Sequence, residues 1–330
     1  MAVYRAPRCA GLPHLAWPVR FTRSMAPPDE RERRAAGLAA AVFAYTAWGA
    51  LPLYFKALAG VGAVEILAHR VANSAILLGA GIALARGREG FLRLRHFEPR
   101  ALVATTVLIA LNWLLYIWAV QNGRVLEASL GYFVNPLVNV ALGVAILKET
   151  LRPWQKLAFV LAGAGVAALV VSTGQLPWVA LVLACTFGLY GLVRKRADVE
   201  PVGGLFAETA ILAPLALGWL GWLAREGTGA FGRSTRETVL LALAGAITSL
   251  PLLAFGHALR RLKLSTMGIV QYLAPTGQFL LAVLVYGEPF GRPQALAFGC
   301  IWSALVIYTW DGIAAARRGS SPAEGEAEVF

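Results

Sequence analysis

The sequence predicts an all-α integral membrane protein of about ten transmembrane helices, laid out as two inverted five-helix repeats with both termini cytoplasmic. Three observations carry this expectation. Of 330 residues 58% are hydrophobic and the mean hydropathy is +0.63, against roughly 45–50% apolar usage in soluble domains. The arginines and lysines fall in short runs between apolar stretches, and the chain matches itself when shifted by 139 positions.

Each crossing needs about 20 apolar residues. Windows bounded by charge, Gly or Pro place helices near 37–58, 63–85, 100–121, 125–147, 153–172, 175–193, 204–224, 236–257, 264–286 and 292–314. The first follows the basic run Arg31, Arg33, Arg34, and the second stops at Arg86. Pro99–Arg100 opens the third, Asn122–Gly123 separates it from the fourth, and Lys148–Glu149 closes the fourth. Gly174 ends the fifth, Arg194–Lys195–Arg196 the sixth and Arg225 the seventh, while Arg260 and Arg261 close the eighth. Glu288 and Arg292 separate the ninth from the tenth, which runs to Arg317 and Arg318.

Basic residues in short loops mark the cytoplasmic face. Nineteen of them from Arg31 onward fall on the side that holds both termini, and six (Lys56, Arg124, Arg225, Arg233, Arg236, Arg292) on the other. The formal charge of +12 is therefore read as membrane topology in a bacterial inner membrane, with the lipid bilayer as partner and no role for nucleic acid.

Under the 139-residue shift Pro136 meets Pro275, Glu149 meets Glu288, and Gln155, Leu157, Ala158, Phe159 meet Gln294, Leu296, Ala297, Phe298. Five helices per half is an odd number, so the second copy enters from the opposite side. The resulting division is a basic segment 1–36, a first repeat 37–174, a second repeat 175–316 and a disordered tail 317–330. Met25 is a second candidate start, and the first 24 residues lack the apolar run of a signal peptide.

Inverted repeats are the plan of many secondary transporters, because the two halves can exchange conformations around a central site. Polar side chains in the spans are then informative, since each costs insertion free energy unless it faces a cavity or a neighbour. Glu65, His69 and Arg70 open the second helix, with Glu65 and His69 on one face, and Glu208 lies in the seventh. These four are candidates for coupling or gating; a structural ion pair between Glu65 and Arg70 is the alternative. Candidate substrate contacts are Tyr132, Asn135 and Pro136 in the fourth helix, Gln271, Tyr272 and Pro275 in the ninth, with Trp48, Asn112, Trp113 and Tyr190 beside them. Proline frees a carbonyl and breaks the helical ladder, which suits a cavity wall, although a kink packed by polar side chains would read the same way. Glu149 and Glu288 are expected to cap helices five and ten, and the Arg194 run to anchor the cytoplasmic face.

No HExxH, GxSxG or Walker glycine loop is present, and Cys9, Cys185 and Cys300 have no paired spacing. Neither a catalytic site, a metal nor a cofactor is expected. The function implied is export or exchange of a small amphiphilic metabolite or drug around a cavity between helices four and nine, with a homodimer left open; a non-transporting sensor or scaffold is the competing reading.

The motifs Trp48–Gly49 with Pro52 and Tyr54–Phe55–Lys56, Glu65 to Arg70, Asn112–Trp113 and Ser129 to Leu137 recur in order with Phe187 to Gly191, Glu208–Thr209, Pro251–Leu252 and Gln271 to Pro275. Together they closely resemble the RarD-type permeases of the EamA group, within the drug/metabolite transporter superfamily, from about Gly37 to Gly312. The resemblance implies two inverted five-helix repeats in the bacterial inner membrane and a cavity lined by helices four and nine, with five and ten peripheral.

Overall fold

In lipid the backbone N–H and C=O groups of an apolar run have only one another to bond, so each run becomes a helix. The computed structural model describes residues 30–92, 97–147, 151–196, 201–262 and 264–319, and these are helical with no strand. The helices are α1 (Glu30–Ala57), α2 (Ala63–Leu92), α3 (Pro99–Gln121), α4 (Val125–Leu147), α5 (Pro153–Thr173), α6 (Trp178–Arg196), α7 (Pro201–Glu226), α8 (Thr235–Ala242), α9 (Ala244–Leu259), α10 (Leu264–Val270), α11 (Leu273–Leu280) and α12 (Arg292–Gly319), with a π-helical segment at Leu281–Val285.

Among the described residues eight helical stretches are long and apolar enough to cross a membrane: 30–57, 63–85, 99–121, 125–146, 153–173, 202–226, 235–259 and 292–314; Trp178–Arg194 and Leu273–Val285 are apolar but shorter. Leu84, Val171, Leu215 and Leu284 are at least 74% exposed. So much outward apolar surface suits contact with lipid rather than water, and the chain is a multi-pass membrane protein.

Local chemistry sets the ends. Glu98 caps α3 by accepting from the Ala101 amide at 2.9 Å, with Pro99 at the first helical position where its missing N–H costs nothing. Gly123 and Gly174 follow α3 and α5 with φ of 68° and 65°, the left-handed conformation that a side chain resists.

Two expectations about proline need correction. Pro136 lies inside an unbroken α4. Its repeat mate Pro275 sits in the first turn of α11, just after an interruption at Gln271–Tyr272, so one of the matched helices is continuous and the other is segmented. Pro275 lacks an N–H where an opening helix needs none. The span read as 236–257 is also two pieces, α8 and α9, joined at Leu243. Glu149 and the termini before 30 and after 319 lie outside the described residues.

Packing follows a pattern. α1 lies against α9 and α11, α2 against α7 and α9, α3 against α6 and α7, α4 against α6 and α11, and α5 against α12. Small residues permit the tightest crossings. A Cβ on Gly49 would sit 3.2 Å from the Ala274 carbonyl oxygen, and one on Gly188 would sit 3.0 Å from Val138 Cγ1. Gly49 and Gly188 are 139 positions apart, the same shift that aligns Pro136 with Pro275.

Candidate substrate site

Arg70 is the eighth residue of α2, about 10 Å along its axis, and only 4% of it is exposed. Its guanidinium carbon lies 4.6 Å from the Trp113 ring centre and 5.2 Å from that of Phe55. Nε donates to Thr248 Oγ1 of α9 at 3.0 Å. Among the described residues this is its single hydrogen bond, and it has no carboxylate partner.

The titratable side chains near Arg70 are the phenols of Tyr54, Tyr132 and Tyr116, which are uncharged at neutral pH. The rings of Tyr116 and Tyr132 meet edge to face at 5.6 Å, and Tyr116 also meets Phe55 at 5.9 Å. The hydroxyl of Tyr116 is buried with nothing to bond. An arginine at hydrocarbon depth costs roughly 2.5–3.5 kcal/mol on insertion scales, and a ring stack returns on the order of 0.5–2 kcal/mol. The two rings can therefore hold the charge in place, but they offer no lone pair to its terminal N–H groups.

The alternative of a Glu65–Arg70 ion pair is not what forms. Glu65 Oε1 accepts from the Ala230 amide at 2.6 Å, and His69 stacks on Phe231 at 5.3 Å with rings 21° apart. As the helical spacing implied, Glu65 and His69 share a face. That face clamps the loop between α7 and α8, while Arg70 turns to α9 and α3.

Glu208 is 1% exposed, yet it does have partners. The Tyr190 hydroxyl lies 3.2 Å from Oε2, and Arg194 Nη1 reaches both carboxylate oxygens at 3.4 Å. Arg194, read from sequence as a loop anchor, is thus a counter-ion across the α6–α7 junction. Its nearness to Glu208 depends on tertiary packing and leaves no spacing signal.

The remaining candidates divide. Trp113 and Tyr132 join Arg70, and Tyr190 joins Glu208. Asn112 does not face them: its Nδ2 ties α3 to α6 through the Leu183 carbonyl at 3.0 Å and Thr186 Oγ1 at 2.9 Å. Trp48 packs with Tyr45 and Phe255, and its carbonyl accepts from Gln278 Nε2 at 3.3 Å. Asn135 has a buried Oδ1 without a partner, next to Pro136 in α4. Tyr272 stacks on Phe133 at 6.5 Å, and Gln271 lies with it at the interruption before α11, about one turn of chain from buried Pro275. Phe55, Tyr116 and Thr248 also contribute; the sequence marks Tyr116 only as an aromatic stacking surface and gives no role to the other two. The first two sit in aromatic runs, but nothing in the sequence brings them to Arg70.

Glu288 also differs from its expected role. Its oxygens accept from the amides of Val125 at 2.8 Å and Leu126 at 2.7 Å, so it caps α4 rather than α12. Beside this cap a cleft of about 640 Å³ is lined by Glu127, Leu130, Trp178, Gln294 and Phe298, at the end of α4 remote from Asn135.

A helical bundle with outward apolar faces and buried, convergent polar groups defines a membrane permease. Residues 35–171 match the EamA-like transporter family. The chain is 46% identical over 298 residues to an uncharacterized transporter of Vibrio cholerae, covering 88% of this chain and 98% of that one. It is 44% identical over 288 residues to Protein RarD of Escherichia coli, covering 86% and 97%. A solved structure covers 84% of the chain and 98% of its own with a TM-score of 0.55 at 20% identity, a likeness of fold. The chain belongs to the EamA family as a RarD-type member of the drug/metabolite transporter superfamily.

Proposed function

We propose that this protein is a secondary transporter of the bacterial inner membrane, an export or exchange permease for a small amphiphilic metabolite or drug. It works by alternating access between two inverted five-helix repeats, 37–174 and 175–316, with both termini cytoplasmic. The helix pairing carries the reading. When α8–α9 is counted as span eight, α10–α11 as nine and α12 as ten, each of the main pairings has a counterpart under exchange of the halves. α1 on α9 answers α6 on α3, α2 on α9 answers α7 on α3, and α4 on α6 answers α11 on α1, while α2–α7, α4–α11 and α5–α12 map onto themselves. The matched crossings at Gly49 and Gly188 support the same symmetry, which is the architecture that lets one site face either side. The substrate path is assigned to the surfaces of α4 and α10–α11, beside the aromatic cluster around Arg70, to which Tyr132 of α4 belongs.

Counterflow into liposomes of the purified protein tests this with labelled amino acids, nucleosides and aromatic metabolites. Saturable uptake that falls in Asn135→Ala and Gln271→Ala is expected; absence of flux for every solute from well-folded protein would shift the reading to a sensor or scaffold. Topology is checked in a cysteine-free background: Asn122→Cys should react with an impermeant maleimide from outside, and Phe97→Cys should not.

A further inference from the structure

We infer that the chamber around Arg70 is an anion subsite, and that the substrate class is a monoanionic aromatic or amphiphilic carboxylate without an amine. The inference rests on the transport reading and deepens it.

Arg70 is sealed to 4% exposure, has Nε on Thr248 and keeps its terminal N–H groups without an acceptor among the described residues. A guanidinium edge of that kind matches the two oxygens of a carboxylate. The buried carboxylates of the spans each have a polar partner: Glu65 has the Ala230 amide, Glu208 has Arg194 and Tyr190, and Asp311 has Arg152. Arg70 differs in having only aromatic rings and a hydroxyl, so its counter-charge is left for a ligand to supply. The walls set the rest of the ligand. Trp113 and Tyr132, which are only half-buried, offer ring surface to an apolar body, and the Tyr116 hydroxyl, without a partner among the described residues, can donate to an anion.

The charge count favours one negative charge. A lone guanidinium neutralises a carboxylate, whereas a phosphate monoester near two charges keeps one uncompensated in a dry site. An amino acid brings an ammonium, and no carboxylate lies within reach of Arg70 to receive it.

Titration calorimetry on the protein in nanodiscs tests the site with 3-phenylpropionate, its uncharged amide, phenyl phosphate and phenylalanine, and counterflow follows with the same four. Wild type should bind the acid about tenfold or more tightly than the amide, as expected for loss of a charge-assisted bidentate contact. In Arg70→Gln the acid and amide should bind within about twofold of each other, with Arg70→Lys in between. The acid–amide comparison in wild type needs no variant to fold. Equal binding of acid and amide, or binding of phenyl phosphate or phenylalanine as tight as the acid, would overturn the assignment while leaving transport of neutral solutes intact. Selective binding of the acid with no counterflow would retain the subsite and remove the carrier reading instead.

Discussion

Arg70 and Glu208 are both charges closed off from solvent on adjoining packed helices, α2 and α7, yet the protein treats them differently. Glu208 has a cation and a phenol across the α6–α7 junction; Arg70 has rings and one hydroxyl. The difference teaches which buried charge is structural. A pair that closes on itself locks two helices together, while a charge left open keeps an interaction in reserve.

The largest effect is expected from breaking the closed pair. Glu208→Ala removes the carboxylate that faces Arg194, whose side chain is 13% exposed, and should destabilise by about 3 kcal/mol, the low end for breaking a buried ion pair from one side. The midpoint of denaturation in detergent measures it. Arg70→Leu orphans no acid and should cost less than about 1 kcal/mol or stabilise. If the two variants fell equally, Arg70 would have a protein counter-charge and the contrast would fail.

The glycine crossings at Gly49 and Gly188 sharpen the comparison. Gly49→Ala pushes a methyl against backbone, the Ala274 oxygen at 3.2 Å, and should lower stability by about 1–3 kcal/mol. Gly188→Ala meets side-chain tips at 3.0 Å, which can turn aside, and should cost the smaller share of that range. Thermal unfolding followed by size exclusion ranks them.

A smaller effect is expected at Glu288, a carboxylate whose donors are backbone amides rather than a side chain. Glu288→Ala should cost about 1 kcal/mol, the usual loss for a helix cap, read from the same unfolding curves. A loss as large as that of Glu208→Ala would mean that helix capping and ion pairing cannot be separated in this bundle.

Much of the fold was legible because the apolar runs are cut by residues with a physical reason to cut them. The expected 125–147 and 153–172 differ by at most a residue from α4 and α5, whose ends lie at Gly123, Pro153 and Gly174. The second span ended at 85 in the sequence; α2 continues to Leu92, across a kink at Gly87 with φ of 53°. The interruptions were illegible: Leu243 is as apolar as its neighbours, Gln271–Tyr272 read as site contacts rather than as a break, and tertiary packing decides where the ladder breaks. Within the site, Glu65, His69, Arg70 and Glu208 stood out because insertion cost makes any charge in a span conspicuous. Which of them had polar partners did not, because Arg194 meets Glu208 from the preceding helix with no helical spacing to mark it, and Thr248 lies 178 residues from Arg70.

Glu288 joins the two halves in time as well as in space. The amides at the start of α4 leave the ribosome some 160 residues before the carboxylate that will bind them. Until the ninth span has been threaded, Val125 and Leu126 must borrow water or lipid headgroups as acceptors. A chain synthesised only as far as α4 therefore has an uncapped helix start, and that cap arrives late, from the far end of the sequence.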